Sequence, residues 1–265
     1  VIALRGVCKS YDGGRTRAVD HVDLDVPDGG FLAIVGESGS GKSTLVKTIN
    51  RLVEPDEGRV EIDGHSACDE PAPLLRRRIG YVFQAVGLFP HLSVAENIAV
   101  TPRLLGWPEA EIAPRVAEML DLARLPRAYA DRAPEALSGG QRQRVGIARA
   151  LAAKPAIVLL DEAFGALDPI TRSSLGDEYR RLHDQLGLTT VMITHDVGEA
   201  VLLADRIAVM KSGRLLGDGT AEDLVRHADP YVRQLMDTPR QQARRLAARL
   251  NGGDGGHDEG GEGGA

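Results

Sequence analysis

A chain of 265 residues is long enough to bury a large core as one or two domains, and its 43% hydrophobic and 26% charged residues are those of an ordinary globular protein. With 32 Lys plus Arg against 38 Asp plus Glu, the net charge of −6 argues against a nucleic-acid partner. No run approaches the roughly 20 apolar residues of a membrane-spanning helix, and no basic-then-apolar segment reads as a secretory signal. Two cysteines, Cys8 and Cys68, with no Cys-x-x-Cys and no His at metal-ligand spacing, argue against a disulfide framework and for a reducing compartment.

Cys8 opens the pass along the chain, in an apolar strand-like stretch where it reads as a small packing residue. Val22, Leu24 and Val26 alternate with charged neighbours, as do Val60 and Ile62 before the Asp63-Gly64 turn, which predicts half-buried antiparallel strands. Five runs are apolar almost throughout: Phe31–Val35, Ile79–Phe83, Ala156–Leu160, Thr190–Ile193 and Ile207–Met210. Such runs suit parallel strands covered on both faces by helices. Between Gln84 and Ser138 the period turns helical, with Val116, Met119, Leu120 and Ala123 on one face. The expected fold is therefore an α/β core with an N-terminal antiparallel β-subdomain and a helical subdomain inserted at about residues 85–150. Arg76-Arg77-Arg78 and Arg244-Arg245 read as solvated helix faces or turns. From about Thr220 the pattern is helical through Leu250. Residues 252–265 hold eight glycines, acidic residues, His257 and no large apolar side chain, so a disordered tail is expected there.

Chemistry enters at Gly36-Glu37-Ser38-Gly39-Ser40-Gly41-Lys42-Ser43, a phosphate-binding loop pattern placed between the strand Phe31–Val35 and a helix-like Thr44–Asn50. Glycines let successive N–H groups turn toward phosphates, and the following helix adds its positive end. Lys42 is placed to bridge the β- and γ-phosphates of ATP, and Ser43 to hold Mg²⁺. The run Ala156–Leu160 delivers Asp161 and Glu162 to a strand's C-terminal end, where α/β sheets keep their ligands. Asp161 is expected to reach the metal through water, and Glu162 to polarise the water that attacks the γ-phosphate.

Leu137-Ser138-Gly139-Gly140-Gln141, followed by Arg142-Gln143-Arg144, is a second phosphate grip, with a Ser N-cap and two glycines at a helix start. Here the chain resembles ABC ATPases, and the resemblance spans about residues 1–240. It implies a RecA-like P-loop NTPase core and a site completed only in a dimer, where Ser138, Gly139, Gly140 and Gln141 meet the nucleotide held by the other subunit's loop. It further implies that Tyr11 stacks on adenine and that Gly36 through Thr44 bind the nucleotide. Gln84 is the hinge glutamine beside the metal, His195 in Ile193-Thr194-His195-Asp196 is the switch histidine, and Asp168 in Gly165-Ala166-Leu167-Asp168 lies on the loop that crosses the dimer interface. The other histidines, His21, His65, His91, His183 and His227, receive no such role. One departure is Ala163, where the family usually has Pro after the catalytic Glu. Pro would fix φ there, so a less constrained loop after Glu162 is expected.

Within that family the likeness is to ATPases of quaternary-amine importers (glycine betaine, choline and related osmoprotectants). It is carried by Ile49–Pro55, Gly87–His91, Glu96–Val100, Leu104–Trp107 and Leu167–Arg172. The resemblance implies a homodimer or paired ATPase subunit, transmembrane permease subunits whose short helix docks on the insertion, a solute-binding protein, and a place on the cytoplasmic face of the membrane. Some relatives carry paired regulatory domains after the ATPase; with only the Gly-rich stretch 252–265 following, none is expected here. Polar amino acids remain the alternative solute. A soluble ABC ATPase acting on DNA or ribosomes is the alternative from another class, and tandem cassettes or a long coiled-coil insertion would mark it. A P-loop kinase leaves Ser138–Gln141 unexplained.

Overall fold

The computed structural model describes residues 1–251; the tail expected to be disordered at 252–265 lies outside the described residues. In chain order these form β1 (Ile2–Ser10), β2 (Arg17–Val26), β3 (Phe31–Val35), α1 (Lys42–Ile49), β4 (Glu57–Ile62), β5 (His65–Ser66), α2 (Ala72–Arg78) and β6 (Ile79–Val82). Three helices follow before the next strand: α3 (Val94–Leu104), α4 (Glu109–Leu122) and α5 (Gly139–Leu151). The chain then runs through β7 (Ile157–Asp161), α6 (Pro169–Leu186), β8 (Thr189–Ile193), α7 (Val197–Leu203), β9 (Arg206–Lys211), β10 (Arg214–Gly219), α8 (Ala221–Val225) and α9 (Pro230–Asn251).

Two sheets share the core. One is antiparallel in the order β2-β1-β4-β5, the other runs β10-β9-β3-β8-β7-β6 and is parallel except for β10. The continuous apolar runs are explained by a sheet buried on both faces. In β3, Phe31, Ala33 and Val35 enter the core shared with α5, α6 and the helical insertion, whereas Leu32 and Ile34 face β1, β2 and α1. β7 divides the same way, Val158 and Leu160 against Ile157 and Leu159. Successive strand side chains point to opposite faces, so each strand glues two layers together.

The helical insertion is pinned by polar groups as well as by its apolar face. Val116, Met119, Leu120 and Ala123 are buried as their spacing predicts. Ser93 and Glu96 close a capping box at the start of α3. Buried Arg115 on α4 donates to the carbonyl oxygens of Leu151 and Ala152 at 2.8 and 2.9 Å, ending α5.

Several elements differ from expectation. The helical stretch from Thr220 is two helices, because Asp229 accepts from the amides of Tyr231 and Val232 and restarts the chain at Pro230. β10 was not apparent in the pattern: its glycines, Gly217 and Gly219, dilute the strand signal, and the register shifts between Leu215 and Gly217. Arg76–Arg78 lie on α2, where Arg76 closes the end of α1 by donating to the carbonyl oxygens of Asn50 and Arg51. No helix among the described residues is long and apolar enough to cross a membrane.

Candidate nucleotide site at the edge of the parallel sheet

Strand register assembles the site. Val82 pairs near Leu160, Asp161 pairs with Ile193, and Ile34 pairs with the same Ile193. The ends of β3, β6, β7 and β8 therefore lie level, and the residues just beyond them gather along one edge. Those residues are Gly36, Gln84, Glu162 and His195. Backbone bonds fix the level: Glu162 N–H donates to Ile193 O at 3.1 Å and Thr194 N–H to Ile34 O at 3.2 Å.

The loop after β3 needs glycine at two positions. Gly36 has φ 149° and a Cβ there would lie 2.1 Å from Met210 O; Gly41 has φ 99° and its Cβ would lie 2.0 Å from Ala18 O. Only a residue without Cβ permits both the conformation and the approach. Gly41 precedes α1 without any side-chain cap, which leaves the first-turn amides of that helix to an external acceptor. Lys42 is buried, and its Nζ donates to Gly36 O at 2.9 Å and Glu37 O at 2.8 Å. Burial pushes this ammonium's pKa down, and the nearby Glu162 and Asp161 carboxylates partly restore it.

Across the loop, Ser43 Oγ donates to Asp161 Oδ1 at 3.2 Å and Tyr81 Oη donates to Asp161 Oδ2 at 2.9 Å. Burial, with the Asp161 charge second, pushes the Tyr81 phenol up, so it remains a donor. Tyr81 was not anticipated as a site residue; the one signal was a hydroxyl-bearing aromatic within an otherwise aliphatic strand. Gln84 Nε2 donates to Glu162 Oε2 at 2.7 Å, and His195 Nδ1 lies 3.9 Å from the same oxygen. Glu162 itself has φ 49°, a left-handed conformation that costs a non-glycine residue on the order of 1 kcal/mol. Ala163 next to it is buried in the core at 3% exposure. Tyr11 is 65% exposed, with its hydroxyl 3.3 Å from Thr44 Oγ1 at the mouth of the loop.

Ser138–Gln141 makes no hydrogen bond to this cluster among the described residues. Ser138 Oγ accepts from Gln141 N–H at 3.3 Å while Gln141 Oε1 accepts from Ser138 N–H at 3.0 Å, a capping box whose Ser138 and Gly139 are exposed. Gly140 packs where a Cβ would sit 2.8 Å from Thr171 Cγ2 of α6. Asp168 caps α6: its Oδ1 accepts from Thr171 N–H at 3.0 Å, which holds its carboxyl below the usual range.

Sequence spacing gave no hint of one further cluster. The β1–β2 pairing brings Cys8, Asp20 and His21 donor atoms within 4.8 Å of one another. The Arg17 guanidinium lies among them, 3.0 Å from Asp20 Oδ1, 2.9 Å from His21 Nδ1 and 3.5 Å from Cys8 Sγ. That cluster already holds its cation. His183 is structural, bonded to Thr190 Oγ1 at 3.0 Å and packed on Phe31.

A glycine loop at the switch point of a parallel sheet, with a carboxylate from the next strand but one against its serine, defines a P-loop nucleotide-binding protein. Residues 19–165 match the family model described as ABC transporter, and the chain belongs to that family. It is 46% identical over 241 residues to the choline transport ATP-binding protein OpuBA of Bacillus subtilis, covering 91% of this chain and 63% of that relative. The chain thus spans under two thirds of that relative's length. A sulfate/thiosulfate import ATP-binding protein, CysA of Thermosynechococcus vestitus, is 47% identical over 232 residues, 87% of this chain and 68% of that protein. Among solved structures, a dimeric ATP-binding cassette in a post-hydrolysis state bound to ADP and Pi superposes with a TM-score of 0.75 at 36% identity, over 83% of this chain and 98% of that one.

Proposed function

We propose that this chain is the ATP-hydrolysing subunit of an ABC importer for quaternary amines such as glycine betaine or choline. The observation that carries the enzymatic part is the convergence of Lys42, Ser43, Asp161, Glu162, Gln84 and His195 on one sheet edge, with the Ser138–Gln141 grip outside it. A grip that its own loop does not use suits the nucleotide of a second subunit.

Lys42 exchanges the carbonyl oxygens of Gly36 and Glu37 for phosphate oxygens of ATP, and the uncapped amides of α1 receive the same charge. Tyr11 presents an exposed ring for adenine. Glu162 orients the attacking water and takes its proton; His195 lies beside it to hold the γ-phosphate side, and Gln84 positions the carboxylate. Ser43 hydroxyl and Asp161 carboxylate form an all-oxygen pair that fits Mg²⁺, a cation that takes one or two protein oxygens plus phosphates. Held by Ser43 and Asp161, Mg²⁺ would supply neutralisation of the phosphate charge. Gln84 turns its amide nitrogen to Glu162, which leaves its oxygen for the metal side.

The permease docks in a cleft of about 260 Å³ between core and insertion, whose lining includes Leu52, Arg76, Phe83, Phe89, Thr101 and Arg149. Phe83 and Phe89, each 42% exposed, offer it an apolar surface. A solute-binding protein completes the system on the other side of the membrane, and this subunit works as a pair on the cytoplasmic face. For the solute, the likeness to a choline transport protein supports quaternary amines, while the similar identity to a sulfate/thiosulfate import protein supports an oxyanion as second reading. ATP turnover of the assembled complex, measured with glycine betaine, choline, sulfate or a polar amino acid and the cognate binding protein, decides. Stimulation by a quaternary amine alone is expected; stimulation by sulfate alone rejects the solute, and no turnover under any condition rejects the enzyme.

A further inference from the structure

Tyr231 stands in the first turn of α9, and the site described above does not use it. Its backbone is held firmly: Asp229 Oδ1 accepts from Tyr231 N–H at 2.7 Å, and Val232 and Met236 are buried in the core. Yet the Tyr231 hydroxyl, itself buried, has no hydrogen-bond partner among the described residues. Unpaired buried donors are costly and rare, so this one calls for a state in which a partner is supplied.

Two neighbours define where the side chain stands. Lys211 Nζ lies 3.9 Å from the ring centroid, and Lys211 belongs to the stretch Met210–Gly213 that walls the phosphate-binding loop. Met210 O occupies the space beside Gly36, and Gly213 N–H donates to Ser40 O at 3.0 Å. Glu37, between Gly36 and Ser40, acts on the hydroxyl through both its carboxylate and its backbone N–H. Burial first, and the Glu37 charge second, raise the phenol above its ordinary value, so it keeps its proton and can donate. Glu37 is also the residue that nucleotide disturbs. Its carbonyl oxygen accepts from Ser40 N–H at 3.2 Å and from Lys42 Nζ at 2.8 Å. Once Lys42 gives up that oxygen for phosphate, the charged donor leaves and Ser40 alone holds the carbonyl.

We infer that Tyr231 is a positioning residue for nucleotide binding: its hydroxyl bonds Glu37 as Lys42 transfers to phosphate, so that the turn Glu37–Ser40 keeps its shape while its internal cation moves away. This rests on the nucleotide-site reading of the loop given above. A phenol can donate to the carboxylate and accept from the amide of one residue, which fixes Glu37 at two points when its carbonyl end is released. Lys211 keeps the ring in place through its charge on the ring face. The first turn of α9 is thereby a second brace on the loop, beside Met210–Gly213.

Binding of a fluorescent ADP with Mg²⁺ to the purified full chain tests this, because ADP engages the loop without the dimer that ATP is expected to form. Y231F keeps the ring on Lys211 and removes the hydroxyl. Its Kd for ADP is expected to rise about 5-fold, the size of one net hydrogen bond. Its melting temperature without nucleotide stays at or above the wild-type value, because the hydroxyl has no partner to lose there. E37A should raise Kd as well, and adding Y231F to it should raise Kd no further; E37Q, which keeps an acceptor, lies closer to wild type. An unchanged Kd in Y231F, a Y231F protein that melts lower without nucleotide, or effects of Y231F and E37A that multiply would each overturn the inference. Wild-type protein that does not bind ADP overturns the nucleotide-site reading instead.

Discussion

Lys42 holds its ammonium on the carbonyl oxygens of Gly36 and Glu37 in its own loop. No other side chain of Gly36–Ser43 carries positive charge, so Lys42→Ala is expected to reduce ATP turnover of the assembled complex by at least about 10³-fold, in line with what transition-state cations supply in phosphoryl transfer. Retention of most of the turnover would contradict the role given to this loop. Tyr81 acts one step back: it orients Asp161 from the side opposite Ser43. Tyr81→Phe should leave the fold and ATP binding intact and raise the Mg²⁺ concentration for half-maximal turnover by about 10-fold, as loss of an outer-shell partner does at metal sites. An unchanged Mg²⁺ titration would show that the phenol only fills space.

At the scale of elements, Glu178 of α6 joins three parts of the molecule. Arg144 of α5 and Arg124 after α4 donate to it, as does Ser174. Burial opposes its ionisation, but the Arg144 hydrogen bond and charge, with Arg124, outweigh that and hold the carboxyl below its ordinary 4.5. A depressed folded value means the unfolded chain takes up the proton first as pH falls. The stabilisation is therefore complete above pH 4.5 and is lost as pH drops through the lower folded value. Glu178→Gln is expected to lower the melting temperature at pH 7 and to flatten its decline in acid; a variant with the wild-type acid slope would remove this network from the account. The capping box of α5 belongs to the same scale, and Ser138→Ala should lower stability by about 1 kcal/mol in denaturant titration, separable from its effect on turnover. Much of the fold was legible because both faces of β3 and β7 are buried, which writes near-continuous apolar runs into the sequence. Val116, Met119 and Leu120 betrayed α4 by a different signal, one apolar face at helical spacing. What stayed hidden depends on contacts between distant residues. β10 is short, glycine-rich and pairs at an edge; the restart at Pro230 hangs on one Asp229 side chain; and Tyr81, Arg149 and Arg17 act on partners 80, 62 and 9 positions away, or nearer across a strand pair.

For the whole molecule, the central claim is that hydrolysis needs two copies, because the phosphate grip at Ser138–Gln141 lies apart from the Lys42–Glu162 cluster it has to complete. Glu162→Gln is the variant that isolates this. The amide is nearly isosteric, so the loop and the grip both persist, while the carboxylate proposed to take the proton of water is gone, a role worth about 10²–10⁴-fold. On the proposed shared-site reading, blocked hydrolysis leaves the paired state without that route to reopening. The decisive measurement is sizing chromatography of E162Q at high protein concentration with ATP and Mg²⁺, against ADP and against no nucleotide. The account predicts a shift from monomer to dimer with ATP alone, together with loss of turnover. A variant that ceases to hydrolyse yet stays monomeric at every ATP concentration, even with its membrane partner present, would contradict the shared site; one that hydrolyses at the wild-type rate would remove Glu162 as the base.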